Sequence, residues 1–169
     1  TTNTVVTDVG STKLSVINDF DNICDNQKIK FIPSHPIAGL EKSGPEYGFA
    51  ELFENRFCIL TPKNKSDENA KEIEHLWKSL GMKTEFMNAD HHDRVLAMTS
   101  HIPQLIAYSI VSTANELESQ IKDEVLKFSA AGFRDFTRLA GSDPIMWRDV
   151  YEKNKDFVLE MLDRFTEDL

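Results

Sequence analysis

Positive charge, glycine, cysteine and long apolar runs are all scarce in this chain of 169 residues. Lys and Arg number 19 against 28 Asp and Glu, giving a formal net charge of -9. A surface of that sign repels phosphate backbones and anionic bilayers, so nucleic acid and membrane are excluded as main partners. No segment reads as an unbroken apolar span or as a signal peptide, and a cytoplasmic protein is expected. The 2 cysteines, Cys24 and Cys58, are far apart and form no metal or redox motif. That excludes a disulfide-stapled fold and predicts two ordinary buried thiols in a reducing compartment. There is no internal repeat and no low-complexity segment. What is present is an apolar fraction of 40%, enough for the core of one domain or two small ones.

The first ninety or so residues alternate strand and helix. Val5 to Asp8 reads as a buried parallel strand, and Thr12 to Cys24 as a helix offering Leu14, Val16, Ile17, Phe20 and Ile23 for burial. Lys30 to Ile32 is the next strand, closed by Pro33, and Arg56 to Leu60 another, closed by Thr61-Pro62. Ser66 is placed to cap a helix with Ala70, Ile73, Leu76, Trp77 and Leu80 inward and Gly81 just past its end. Lys83 to Met87 is a last short strand. From Asp90 onward only helix is expected. Asp90 to Leu117 is apolar almost all round, which predicts a helix buried inside a bundle or against another subunit, and Pro103 should kink it. Shorter helices break near Gly132 and Gly141, and a final helix opens with Asp143 as cap and Pro144 in its first turn. The predicted fold class is α/β followed by all-α, with domains at 1–88 and 89–169. Because the chain opens directly on a strand that reads as interior, it is expected to be a piece lacking an N-terminal segment.

Ser11 follows the first strand and His35 the second, with one helix between. If those strands are parallel neighbours, both residues lie at the carboxyl edge where open α/β sheets bind ligands. His35 sits on a Gly/Pro-rich loop, Ser34 to Gly44, that also carries Glu41. A hydroxyl and an imidazole so placed could orient and deprotonate a substrate hydroxyl. Equally open is a reading in which Ser11 caps the helix and His35 satisfies loop backbone. Arg138, with Arg134 and Asp135, lies on a helical stretch; its guanidinium suits a carboxylate, or a salt-bridged surface. His101 is a candidate ligand contact or a satisfied buried histidine, and Trp147 a core residue or a site wall. His91-His92-Asp93 invites a metal reading, but neighbours on a helix point about 100° apart and no third ligand is suitably spaced.

Four motifs carry a resemblance: Val6 to Lys13, His35-Pro36-Ile37-Ala38-Gly39 with Lys42-Ser43-Gly44, Ser100 to Leu105, and Phe133 to Arg138 with Ser142 to Trp147. Together they resemble the prephenate and arogenate (cyclohexadienyl) dehydrogenases over essentially the whole chain. The resemblance implies the C-terminal portion of a Rossmann-type dinucleotide-binding domain plus a helical domain that makes a homodimer. It implies oxidative decarboxylation of a small-molecule substrate, prephenate or arogenate, with hydride passing to NAD or NADP. In that scheme His35 polarises or deprotonates the ring hydroxyl and Ser11 orients it. Arg138 holds a substrate carboxylate, and His101 helps place the ring or side chain. Glu41, Arg134 and Asp135 form a charge network supported by Trp147, while Val9, Ser11 and Pro36 face the cofactor. The family's glycine-rich phosphate loop is not in the chain, so residues 1–169 alone are expected not to turn over. Leu40 stands where many relatives carry a hydroxyl, which bears on the choice between the two substrates. Two other readings compete. One is a non-catalytic dimerisation and ligand-binding module of the same descent. The other is a hydroxy-acid dehydrogenase, which would place a lysine on the long helix; His91 to Leu117 contains none.

Overall fold

Short β-favouring runs separated by amphipathic stretches produce an α/β unit, and helices follow it. The computed structural model describes residues 4–24, 29–40, 42 and 44–169, and for Gln120 and Leu126 the backbone alone. Two compact units divide the chain, one taking in residues up to Leu40 and Gly44–Val95, the other Leu96–Leu169.

In the first unit, strand β1 (Val5–Val6) pairs in parallel with β2 (Lys30–Phe31). The connecting helix α1 (Leu14–Ile23) is shorter than expected and half-buried at best, with Ile23 exposed. Its Phe20 stacks on Phe31 at 4.4 Å between ring centroids. Pro33 ends the β1–β2 pairing as expected, since it has no N–H to give. The chain then enters a strand where a loop is expected: β3 (Ser34–Pro36) runs antiparallel to β4 (Phe57–Leu60). Pro33 is the pivot, its carbonyl accepting from the Thr61 N–H at 2.9 Å. As an edge strand β3 can hold Pro36 without losing a ladder bond. β4 pairs in parallel with β5 (Lys83–Phe86).

Helix α2 (Glu68–Ser79) connects β4 to β5 and is capped by Asp67, not Ser66: the Asp67 carboxylate accepts from the Asn69 N–H at 2.9 Å. Ala70, Ile73 and Trp77 are its buried face, while Leu76 and Leu80 stay exposed. Gly81 takes φ +88 after the helix, a conformation open to glycine, and a Cβ there would lie 3.3 Å from Glu54 Cγ. Ile32, Cys58, Leu60, Ala70, Ile73, Trp77 and Met82 form the core beneath the strands.

Helix α3 (Ala89–Leu96) leads to a wider π-type turn at Ala97–His101, then α4 (Ile102–Glu116). The π turn sits where Pro103 has no N–H to donate, which is how the backbone accommodates the proline. By length and composition the helical run Ala89–Glu116 is long and apolar enough to cross a bilayer, correcting the expectation that no segment approaches such a span. Its buried residues nevertheless include His92, Asp93, His101 and Gln104. Met98 on the same run is exposed in the single chain, where the expectation allowed for cover by another subunit.

The second unit continues with α5 (Ser119–Lys127), α6 (Ala131–Leu139), α7 (Pro144–Lys153) and α8 (Lys155–Glu167). The expected breaks are present, at 128–130 just before Gly132 in the first turn of α6 and at 140–143 around Gly141. Asp143 caps α7 as expected, accepting from the Ile145 N–H at 2.8 Å, with Pro144 in the first turn. The predicted single last helix is two, because the chain turns at buried Asn154. Ala97, Ile102, Val158 and Met161 make this unit's core.

Candidate active site

The turn after β1 is built around two charges. Asp8 Oδ2 accepts from the Gly10 N–H at 2.9 Å and pairs with the Lys13 ammonium, whose side chain is fully buried. Lys13 Nζ also donates to the Ser34 carbonyl at 2.8 Å. Burial pulls the Lys13 pKa below the usual lysine range, and the Asp8 bond and charge oppose that shift. Ser34 uses every polar atom: its N–H donates to Asp8 Oδ1 at 3.1 Å, and its hydroxyl donates to the Asp8 carbonyl at 2.6 Å. The same hydroxyl accepts from Trp77 Nε1 at 3.1 Å. These bonds lock the start of β3 against the end of β1, and so fix the residue that follows Ser34, which is His35.

His35 is half-buried. Its Nδ1 lies 2.9 Å from Nε2 of His92, the rings meeting edge-on with centroids 5.1 Å apart. His92 is wholly buried on α3, and its Nδ1 lies 2.8 Å from Oδ1 of Asp93. Asp93 in turn accepts from the Lys13 N–H at 2.8 Å and the Leu14 N–H at 2.9 Å. A carboxylate from the far end of the unit thus caps α1, where the helix's own flanking residues supply no side-chain cap. The alternative in which Ser11 caps α1 does not describe this turn.

In the second unit His101 is buried at the end of the π turn. The Asn154 amide donates to His101 Nδ1 at 3.0 Å, which puts the neutral ring's proton on Nε2. Trp147 packs edge-on to His101, centroids 6.0 Å apart, and its indole N–H is buried with no acceptor among the described residues. Arg138 is exposed near the end of α6, as are Arg134 and Asp135. That end is pinned from α4: Gln104 donates to the Leu139 carbonyl at 2.9 Å, and Tyr108 to the Ser142 carbonyl at 2.8 Å.

The expected parallel pairing of the strands preceding Ser11 and His35 is present. Val9 is 63% exposed just past β1, and Ser11 is half-buried in the same turn. Pro36 is buried and paired with Cys58, so it belongs to the strand behind His35. Glu41 lies outside the described residues. Asp8, Lys13, His92 and Asp93 were missed as site residues. The acid and the base that bracket the β1–α1 turn were the available signal for the first two. For His92 and Asp93 the sequence offers only the metal reading, because their partners here are distant in the chain.

Two family profiles match the chain: prephenate dehydrogenase, nucleotide-binding domain, over residues 1–86, and prephenate dehydrogenase, dimerization domain, over residues 88–169. A cyclohexadienyl dehydrogenase of Zymomonas mobilis is 40% identical over 166 residues, covering 98% of this chain and 56% of that protein. A prephenate dehydrogenase of Bacillus subtilis is 39% identical over 166 residues, covering 98% of this chain and 44% of its own length. The chain therefore spans about half the length of the curated relatives it matches. The crystal structure of prephenate dehydrogenase from A. aeolicus, in complex with hydroxyphenyl propionate and NAD+, superposes with a TM-score of 0.85 at 39% identity. That match covers 97% of this chain and 56% of the other. With both halves matched in order, and an α/β unit followed by a helical one, the chain belongs to the prephenate dehydrogenase family.

Proposed function

We propose that the protein oxidatively decarboxylates prephenate, arogenate or both, with hydride transfer to NAD or NADP, as a cytoplasmic enzyme of tyrosine biosynthesis. The observation that carries this reading is His35, half-buried and tied through Nδ1 to a buried imidazole. An imidazole held this way is suited to take the proton from a ring hydroxyl as the C–H bond yields its hydride. Ser11 orients that hydroxyl. Arg138 receives a substrate carboxylate as a two-pronged donor, and His101, Glu41, Arg134, Asp135 and Trp147 shape the substrate's surroundings. Val9 and Ser11, backed by Pro36, form the side on which the nicotinamide lies; the exposed apolar Val9 just past β1 suits a flat ring. A bound NAD(P) supplies the hydride acceptor. Loss of the ring carboxylate as carbon dioxide leaves an aromatic ring, so the protein's own work is positioning and the removal of one proton.

The division of labour falls at residue 88, dinucleotide binding before it and substrate binding with homodimer formation after it. Ile121, Phe128, Ile145 and Met146 are exposed on the helical unit, apolar surface that a second copy would cover. The test is a reductase-free assay of the protein as its gene encodes it, with both substrates and both cofactors, following reduced nicotinamide. Reduction with at least one pairing is expected; none with all four contradicts the reading.

A further inference from the structure

We infer that His92 is a positioning residue that sets the tautomer of His35: the buried chain His35–His92–Asp93 holds the proton of His35 on Nδ1 and makes Nε2 its basic nitrogen. The inference deepens the reading of His35 as the base. Its direction comes from the anchored end. The N–H groups of Lys13 and Leu14 can only donate, and both point at the Asp93 carboxylate, 2.8 and 2.9 Å away. A carboxylate accepts, so His92 Nδ1, 2.8 Å from Asp93 Oδ1, carries the hydrogen of that bond. A neutral imidazole has one ring proton, which leaves His92 Nε2 as an acceptor. The partner 2.9 Å from it, His35 Nδ1, must then donate. His35 is left with its lone pair on Nε2.

The anchoring is what gives the arrangement its hand. Helix backbone at the start of α1 cannot reverse its donors, and His92 and Asp93 are shut away from water that could supply other partners. Two histidines facing each other in isolation would exchange the donor and acceptor roles freely. Here the α1 N-terminus decides which ring gives and which receives, and a catalytic base benefits because its reactive nitrogen is unprotonated before substrate arrives.

The test is 15N nuclear magnetic resonance of the imidazole nitrogens in the folded chain, read without turnover. Wild type should show His35 with a protonated Nδ1 and an unprotonated Nε2. His92→Gln keeps an acceptor oxygen near the place of Nε2 and should keep that pattern. His92→Leu should give His35 a mixture of tautomers. In the protein as its gene encodes it, His92→Leu should lower kcat about 10- to 100-fold at nearly constant KM, part of what a general base supplies, with His92→Gln recovering most of it. A wild-type His35 protonated on Nε2, or an unchanged pattern in His92→Leu, overturns the inference. If His92→Leu does not fold, wild type and His92→Gln decide by the same spectra. Normal turnover in His35→Asn would instead refute the base assignment, while the tautomer spectra would still report on this chain of bonds.

Discussion

The Lys13 backbone N–H donates to the Asp93 carboxylate at 2.8 Å, across 80 positions of sequence, and this bond joins the start of α1 to α3. The same carboxylate orders His92, and His92 meets His35. One buried acid thus serves as helix cap and as the root of the hydrogen bonding that reaches His35.

Asp93→Ala should therefore cost more than an ordinary cap. It strands two backbone donors and the His92 Nδ1–H, and a loss of about 2–4 kcal/mol is expected from the cap and the buried unpaired groups together. Urea denaturation of the chain measures it. A loss within about 0.5 kcal/mol of zero, as for an ordinary surface substitution, would contradict the role.

Asp8→Asn should destabilise by about 3 kcal/mol, because it leaves the fully buried Lys13 ammonium without its carboxylate. Asp8→Asn combined with Lys13→Met should recover most of that loss, since a buried pair replaced by neutral groups costs little. Equal destabilisation in the single and double variants would show that the pair is not what holds this turn.

Burial pushes the Cys58 thiol from its ordinary 9.0 up to about 12. A raised pKa in the fold means stability is fully present below pH 9.0 and lost as pH climbs toward 12. Unfolding free energy should fall by about 1.4 kcal/mol per pH unit more in wild type than in Cys58→Ala across that window. The lowered Lys13 pKa acts with the opposite sign in both proteins. At pH 8 the native chain should take one alkylating label, on half-buried Cys24, and none on Cys58.

What could be read from the sequence was local. Gly81 after α2 and Asp143 before α7 act within a few residues, and both were legible as helix signals. Asp67 displaced Ser66 as a cap by a single position, within the usual slack of helix boundaries. The alternation of strand and helix up to β5 was legible for the same reason. His35 could be singled out as a residue but not as part of β3, because that strand exists only through pairing with β4, more than twenty positions on. Spacing alone presents His92 and Asp93 as helix neighbours pointing about 100° apart, with no third ligand for a metal. Their partners lie 57 and 80 positions away, and spacing along one helix carries no sign of them.

Arg138→Ala should raise KM for substrate with kcat changed much less, the pattern of a lost binding contact. Steady-state kinetics on the protein as its gene encodes it gives both constants. An unchanged KM would remove Arg138 from substrate binding.

The account turns on His35 as the base, and the most direct measurement is kcat of His35→Asn under saturating substrate and cofactor. A fall of about 10²–10⁴-fold with KM nearly unchanged is expected, the range for a lost general base. Turnover at the wild-type rate would contradict it.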